Sequence, residues 1–108
     1  MFDIDDTLID SKTGKLIPYT YNLLNSCKRI GYNIVIMTAR PGYKDNITFT
    51  KEELDRNKIY YDILIFCSAD DKTICKQMLI EQNDYHFVMS VGDRLTDLTD
   101  SDSYVLIN

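Results

Sequence analysis

Short apolar runs recur along this chain at Met1-Phe2, Asn33-Ile34-Val35-Ile36-Met37, Ile63-Leu64-Ile65-Phe66-Cys67, Phe87-Val88-Met89-Ser90-Val91 and Tyr104-Val105-Leu106-Ile107. The run at 33–37 is β-branched and apolar almost throughout, as expected of a strand covered on both faces. Between the runs the spacing turns helical. Pro18 opens a helix in which Leu23, Leu24, Cys27 and Ile30 form the inward stripe, and Gly31 supplies the stop. Thr50-Lys51-Glu52-Glu53 has the form of a capping box and predicts a second helix fading near Asn57. Asp71 is placed to cap a third, from Lys72 to about Gln82, with Ile74, Met78 and Leu79 inward. Ser11-Lys12-Thr13-Gly14 is a turn cluster between Leu8-Ile9 and Leu16-Ile17, which predicts a small hairpin. Strands alternating with helices predict an α/β fold with a five-stranded, mostly parallel sheet and right-handed crossovers.

Length and composition narrow this further. A chain of 108 residues without repeats, low-complexity segments or linkers reads as a single domain, 1–108, with one core. Twelve basic residues against seventeen acidic give a net charge of −5, which argues against a broad nucleic-acid or anionic-membrane surface. One phosphate held by a local positive site is still compatible with that balance. No apolar run approaches a membrane span and no signal-peptide pattern opens the chain, so a cytoplasmic location is expected. Cys27, Cys67 and Cys75 lack metal-ligand spacing and read as small buried residues in a reducing compartment.

The polar residues that end the apolar runs carry the chemistry. Phe2-Asp3-Ile4-Asp5-Asp6-Thr7-Leu8 puts Asp3 and Asp5 on one side of an extended segment and Ile4 on the other. Three carboxylates at that density cannot be buried unpaired, and neighbouring oxygen donors suit a hard cation such as Mg²⁺. In open α/β sheets ligands collect beyond the carboxyl ends of the strands. Those ends hold Asp3 and Asp5, then Thr38, then Asp93 with Asp97, while Lys72 begins the helix leading to the fourth run. A carboxylate nucleophile, an acid/base, a hydroxyl, an ammonium and an acidic metal pair make a phosphoryl-transfer set.

In this order the motifs resemble those of the haloacid dehalogenase (HAD) superfamily of aspartate-nucleophile phosphotransferases. Asp3-Ile4-Asp5-Asp6-Thr7 matches its DxDxT, Thr38 its strand-ending Thr or Ser, Lys72 its lysine with Lys76 as the fallback, and Gly92-Asp93-Arg94-Leu95-Thr96-Asp97 its GDxxxD. Within the superfamily, the Phe2–Thr7 stretch, Met37-Thr38-Ala39-Arg40 and the Gly92–Leu98 stretch are most similar to the acid-phosphatase-like branch, which includes class B and plant acid phosphatases. The resemblance implies a three-layer Rossmann-like fold and a Mg²⁺-dependent phosphatase working through an aspartyl-phosphate. It assigns Asp3 as nucleophile and Asp5 as acid/base. It makes Asp3, Asp93 and the main-chain carbonyl of Asp5 the metal ligands, and places Thr38, Ala39 and Lys72 on the substrate phosphate. Thr7, Asp97 and Arg40 support them, with Asp97 near the metal or orienting Lys72, and Arg40 read equally as a leaving-group contact or a solvated loop residue. Asp6 reads as a turn cap, and His86, with no second histidine nearby, has no catalytic part.

The stretch from Ile9 to Pro18 is long enough for a flap hairpin and too short for a cap domain, so an open, capless site is expected, taking small phosphorylated substrates or larger phosphoesters. A homo-oligomer is left open. Two apolar residues precede Asp3 where the family strand carries several; if Met1 is the true start, the first strand is clipped and the α-amino group is expected close to Asp3, and otherwise the ends are trimmed. The fold is still expected to form, because the other runs are complete. Two other readings stand beside the phosphatase: a catalytically weak HAD-fold binding or storage protein, and a nucleotidase or nucleic-acid-end phosphatase.

Overall fold

The computed structural model describes residues 1–107. Its elements are α1 (Pro18–Ile30), β1 (Val35–Thr38), α2 (Lys44–Arg56), β2 (Ile63–Phe66), α3 (Lys72–Asn83), β3 (Met89–Gly92) and β4 (Ser103–Leu106), with single 3₁₀ turns at Ala69–Asp71 and Leu95–Asp97. β1 pairs parallel with β2 from Val35↔Ile63 to Thr38↔Phe66, and β3 pairs parallel with β4 from Met89↔Ser103 to Gly92↔Leu106. The five-stranded sheet read from the sequence is therefore two two-stranded parallel sheets. In place of a fifth strand, Phe2 forms isolated parallel bridges to Ile36 on one side and Val91 on the other. Its N–H donates to Val35 O at 2.8 Å and its carbonyl accepts from Met37 N at 3.0 Å. Asp3 N donates to Val91 O at 3.0 Å and Val91 N to Met1 O at 2.8 Å. Beyond Asp3 the ladder stops because the chain turns away immediately, where Leu8 N and Ile9 N both donate to Ile4 O.

Alternation along these segments sends side chains to two sides. Phe2, Ile36 and Val91 join Ile4, Leu8, Leu24 of α1 and Leu54 of α2 in one buried cluster. Met1, Val35, Met37 and Phe87 form the other, against Cys75 and Leu79 of α3. Apolar packing thus lies on both faces of the strands.

α1 begins as expected, with Pro18 in its first turn, and ends at Gly31, whose φ of 107° only glycine adopts without strain. The flap also forms: Ile9 and Leu16 make an antiparallel bridge, and Asp10 Oδ1 accepts from Lys12 N and Thr13 N across the turn. Two helices depart from expectation. α2 starts at Lys44, six residues before Thr50, without a side-chain cap. Thr50 and Glu53 cap nothing; they are buried on its inner face. A capping box and an inward i, i+3 pair share one spacing, so the sequence could not separate them. In α3, Asp71 makes no capping hydrogen bond. Ile74 and Met78 are about half exposed, whereas Lys72 and Lys76 are buried. The helix is turned so that two lysines face inward, with Leu79 still packed against the cluster of Met1, Val35, Met37 and Phe87.

Candidate active site

The Phe2 bridges set the site's register. Two residues beyond Phe2 and Ile36 come Ile4 and Thr38; one residue beyond Phe2 and Val91 come Asp3 and Gly92. Asp3 therefore emerges between the end of β1 and the end of β3, beside Asp93. Asp3 is 7% exposed. Oδ1 accepts from Lys72 Nζ at 2.9 Å and Oδ2 from Thr7 Oγ1 at 3.4 Å. Thr7 is itself held from α1, where Thr20 Oγ1 donates to the Thr7 carbonyl.

Lys72 Nζ also donates to Asp97 Oδ1 at 2.5 Å, so one buried ammonium bridges two buried carboxylates. Asp97 Oδ2 accepts from Arg94 N at 3.2 Å, closing the 3₁₀ turn that follows β3. Lys76 lies one helical turn on and points elsewhere. Its Nζ donates to Ser90 Oγ at 3.0 Å, Asp97 O at 2.6 Å and Thr99 O at 2.7 Å. Of the two candidate lysines, Lys72 is the one that reaches Asp3, and Lys76 ties down the loop bearing Asp97.

Burial governs the ionisation here. It pushes the Asp3 carboxyl up to about 7; Lys72 opposes this, while the Asp97 charge and a hydrogen bond with Asp93 add to it. Burial also works to lower Lys72, but Asp3 and Asp97 beside it outweigh that and hold it above its ordinary value. For Lys76, burial wins and brings it to about 8. Asp3, Asp93 and Asp97 offer oxygens that lie within 4.8 Å of one another. Lys72 pairs with Asp3 and Asp97, and Asp93 adds a third carboxylate to the group. The result is an excess of negative charge with only oxygen donors, and that donor set fits Mg²⁺. The cluster contains Asp97, which the sequence placed in a supporting part; the Asp5 side chain stands apart from it.

Asp5 is turned toward Arg40. Its side chain is 42% exposed and accepts a two-pronged pair of bonds, Nε to Oδ2 at 3.0 Å and Nη2 to Oδ1 at 2.8 Å. The third Arg40 nitrogen, Nη1, donates to Thr50 Oγ1 at 3.2 Å and lies 2.8 Å from Glu53 Oε1. Thr38 is buried at the end of β1, where its Oγ1 accepts from Arg40 N at 3.1 Å. Ala39 is exposed beside it. Next to Asp5 opens a cleft of about 330 Å³, lined by Asp10, Arg40, Asn46, Phe49 and Glu53 among others.

Asp6 adopts the left-handed conformation and accepts from Ser11 N and Oγ as a turn cap. His86 pairs with Asp102 in an exposed position. Sequence reasoning missed Glu53, Thr50 and the anchoring use of Lys76. The available signal was polar residues falling on the inward stripes of α2 and α3.

Compared with known proteins, the chain is matched from residue 6 to residue 106 by the family model described as HAD superfamily, subfamily IIIB (Acid phosphatase). The matched span takes in Thr7, Thr38, Arg40, Lys72, Asp93 and Asp97, and begins just after Asp3 and Asp5. No curated protein and no solved structure matches.

Proposed function

The chain belongs to the subfamily IIIB acid phosphatases of the HAD superfamily, and from that premise we propose that it hydrolyses phosphate monoesters through a phosphoryl group carried on Asp3. The observation that carries this reading is the buried Lys72 ammonium held between Asp3 and Asp97. A carboxylate nucleophile approaching an anionic phosphate needs fixed positive charge at its side, and Lys72 is positioned to supply it.

In this reading Asp3 attacks phosphorus: an Asp3–phosphorus bond forms, the bond to the leaving oxygen breaks, and Asp5 gives that oxygen a proton. Asp5 then takes a proton from a water that attacks phosphorus, the Asp3–phosphorus bond breaks, and phosphate leaves. The Thr38 hydroxyl and the Ala39 N–H hold phosphate oxygens. Asp97 keeps Lys72 aimed at Asp3. Mg²⁺, held by Asp3, Asp93 and either Asp97 or the Asp5 carbonyl, would supply charge neutralisation on the phosphate. Free thiols at Cys27, Cys67 and Cys75 suit a reducing, cytoplasmic setting.

The reading of a catalytically weak binding or storage protein draws on one observation, that Arg40 occupies both oxygens of Asp5. Hydrolysis of p-nitrophenyl phosphate separates the two. The phosphatase reading requires turnover with Mg²⁺ that is lost on chelation and in Asp3→Asn. A folded protein with no such turnover favours the binding reading.

A further inference from the structure

Arg40 commits all three guanidinium nitrogens to protein oxygens. Two go to Asp5, and the third faces Thr50 and Glu53 on α2. Glu53 is 9% exposed, and Arg40 is its ion-pair partner at 2.8 Å. A carboxylate buried on the inner face of a helix is costly unless it is paired. Among the described residues, the ion-pair partner of Glu53 is the arginine that grips Asp5. The contact at Nη1 is a second hold on a guanidinium whose other two nitrogens bond Asp5, and a rigid planar fork held at both edges is restricted in how it can turn.

We infer that Glu53 is a positioning residue for proton transfer, acting through Arg40 to fix the direction in which Asp5 faces the leaving oxygen. This rests on the phosphatase reading above. In the step concerned, Asp5 hands its proton to the leaving oxygen as the bond from phosphorus to that oxygen breaks and the bond to Asp3 forms. The oxygen of Asp5 that keeps no proton stays on Arg40, and Glu53 with Thr50 keeps Arg40 in place. Glu53 touches neither phosphate nor leaving group.

A tie that merely fastens α2 to the loop after β1 would make a different prediction. Loss of a structural tie lowers all turnover alike, whereas loss of aim at the leaving oxygen hurts the substrates that need protonation most. p-Nitrophenolate leaves with little help and an alkoxide does not. The test compares kcat/KM for p-nitrophenyl phosphate and ethyl phosphate, with Mg²⁺, in wild type and in Glu53→Leu, which keeps the volume and removes the acceptors. General acid catalysis is worth about 10²–10⁴, so partial loss of aim should lower the ethyl phosphate value about tenfold more than the aryl value. Glu53→Gln, which keeps the shape and removes the charge of the ion pair, should recover part of the ratio. Thr50→Val should shift it in the same direction by less, and decides the matter if Glu53→Leu does not fold. A ratio unchanged in the folded variants overturns the inference while leaving the phosphatase reading intact. A wild type that hydrolyses neither ester overturns that reading and this inference with it.

Discussion

Replacing Gly92 with Ala tests how the metal-side loop is packed. Gly92 closes β3, and a methyl built on it lies 2.3 Å from Asp97 Cβ, 2.3 Å from Oδ2 and 2.5 Å from Cγ. Ordinary contact begins near 3.4 Å, so Asp97 must retreat by about an ångström. It has nowhere to go: it is 1% exposed, with Oδ1 2.5 Å from Lys72 Nζ and Oδ2 3.2 Å from Arg94 N. Overpacking costs roughly 1–3 kcal/mol, and loosening one partner of a buried ion pair costs part of the roughly 3–5 kcal/mol lost on its removal. Together these give about 3 kcal/mol, or a fall in Tm of roughly 10–20 °C for a domain of this size. Thermal unfolding followed by circular dichroism reads this directly, and turnover at a temperature where the variant is folded should be nearly lost, because Lys72 no longer has its second carboxylate in place. A Tm within about 2 °C of wild type with turnover retained would refute the packing argument.

Two further outcomes follow from the buried charges. In metal-free protein Asp3 is pushed up to about 7 from an ordinary 3.8, so the folded state holds its proton to higher pH than the unfolded chain. Stability from this group is full below about 4 and lost as pH rises to about 7. The Tm of wild type in chelator should fall relative to Asp3→Asn across that window, and added Mg²⁺ should restore it at the upper end; a pH-independent difference would contradict the assignment. Lys76→Met would strip the buried donor from Ser90 Oγ, Asp97 O and Thr99 O, at about 1–3 kcal/mol for each acceptor left unsatisfied. Calorimetry should record about 3 kcal/mol lost and metal titration roughly tenfold weaker binding; unchanged values would deny Lys76 its anchoring part.

The parts of the site legible in the sequence are those where a periodic run stops at a polar residue. Thr38 ends β1, Asp93 follows β3, and Lys72 opens α3, each at the boundary that alternation or helical spacing predicts. The choice between Lys72 and Lys76 was not legible, because both fall on one helical face and only the fold says which ammonium meets Asp3. Reading α3 by apolar spacing turned Ile74 and Met78 inward; buried acceptors at Asp97, Thr99 and Ser90 reverse that preference, and such acceptors come from distant sequence. Thr50 and Glu53 were misread for a related reason. Their spacing fits a cap, and the arginine that draws them inward lies in the loop before α2. The first segment carries a strand's alternation, yet it pairs only through Phe2, since ladder length depends on where the chain turns away.

The central claim is that Asp3 carries the phosphoryl group, and it is tested most directly by quenching the enzyme in acid during turnover of a phosphate ester with Mg²⁺ and mapping the protein by mass spectrometry. The account predicts one added phosphoryl mass on the peptide bearing Asp3, removable by hydroxylamine and absent from Asp3→Asn. Steady turnover with no label on that peptide, or with the label on another residue, would contradict it.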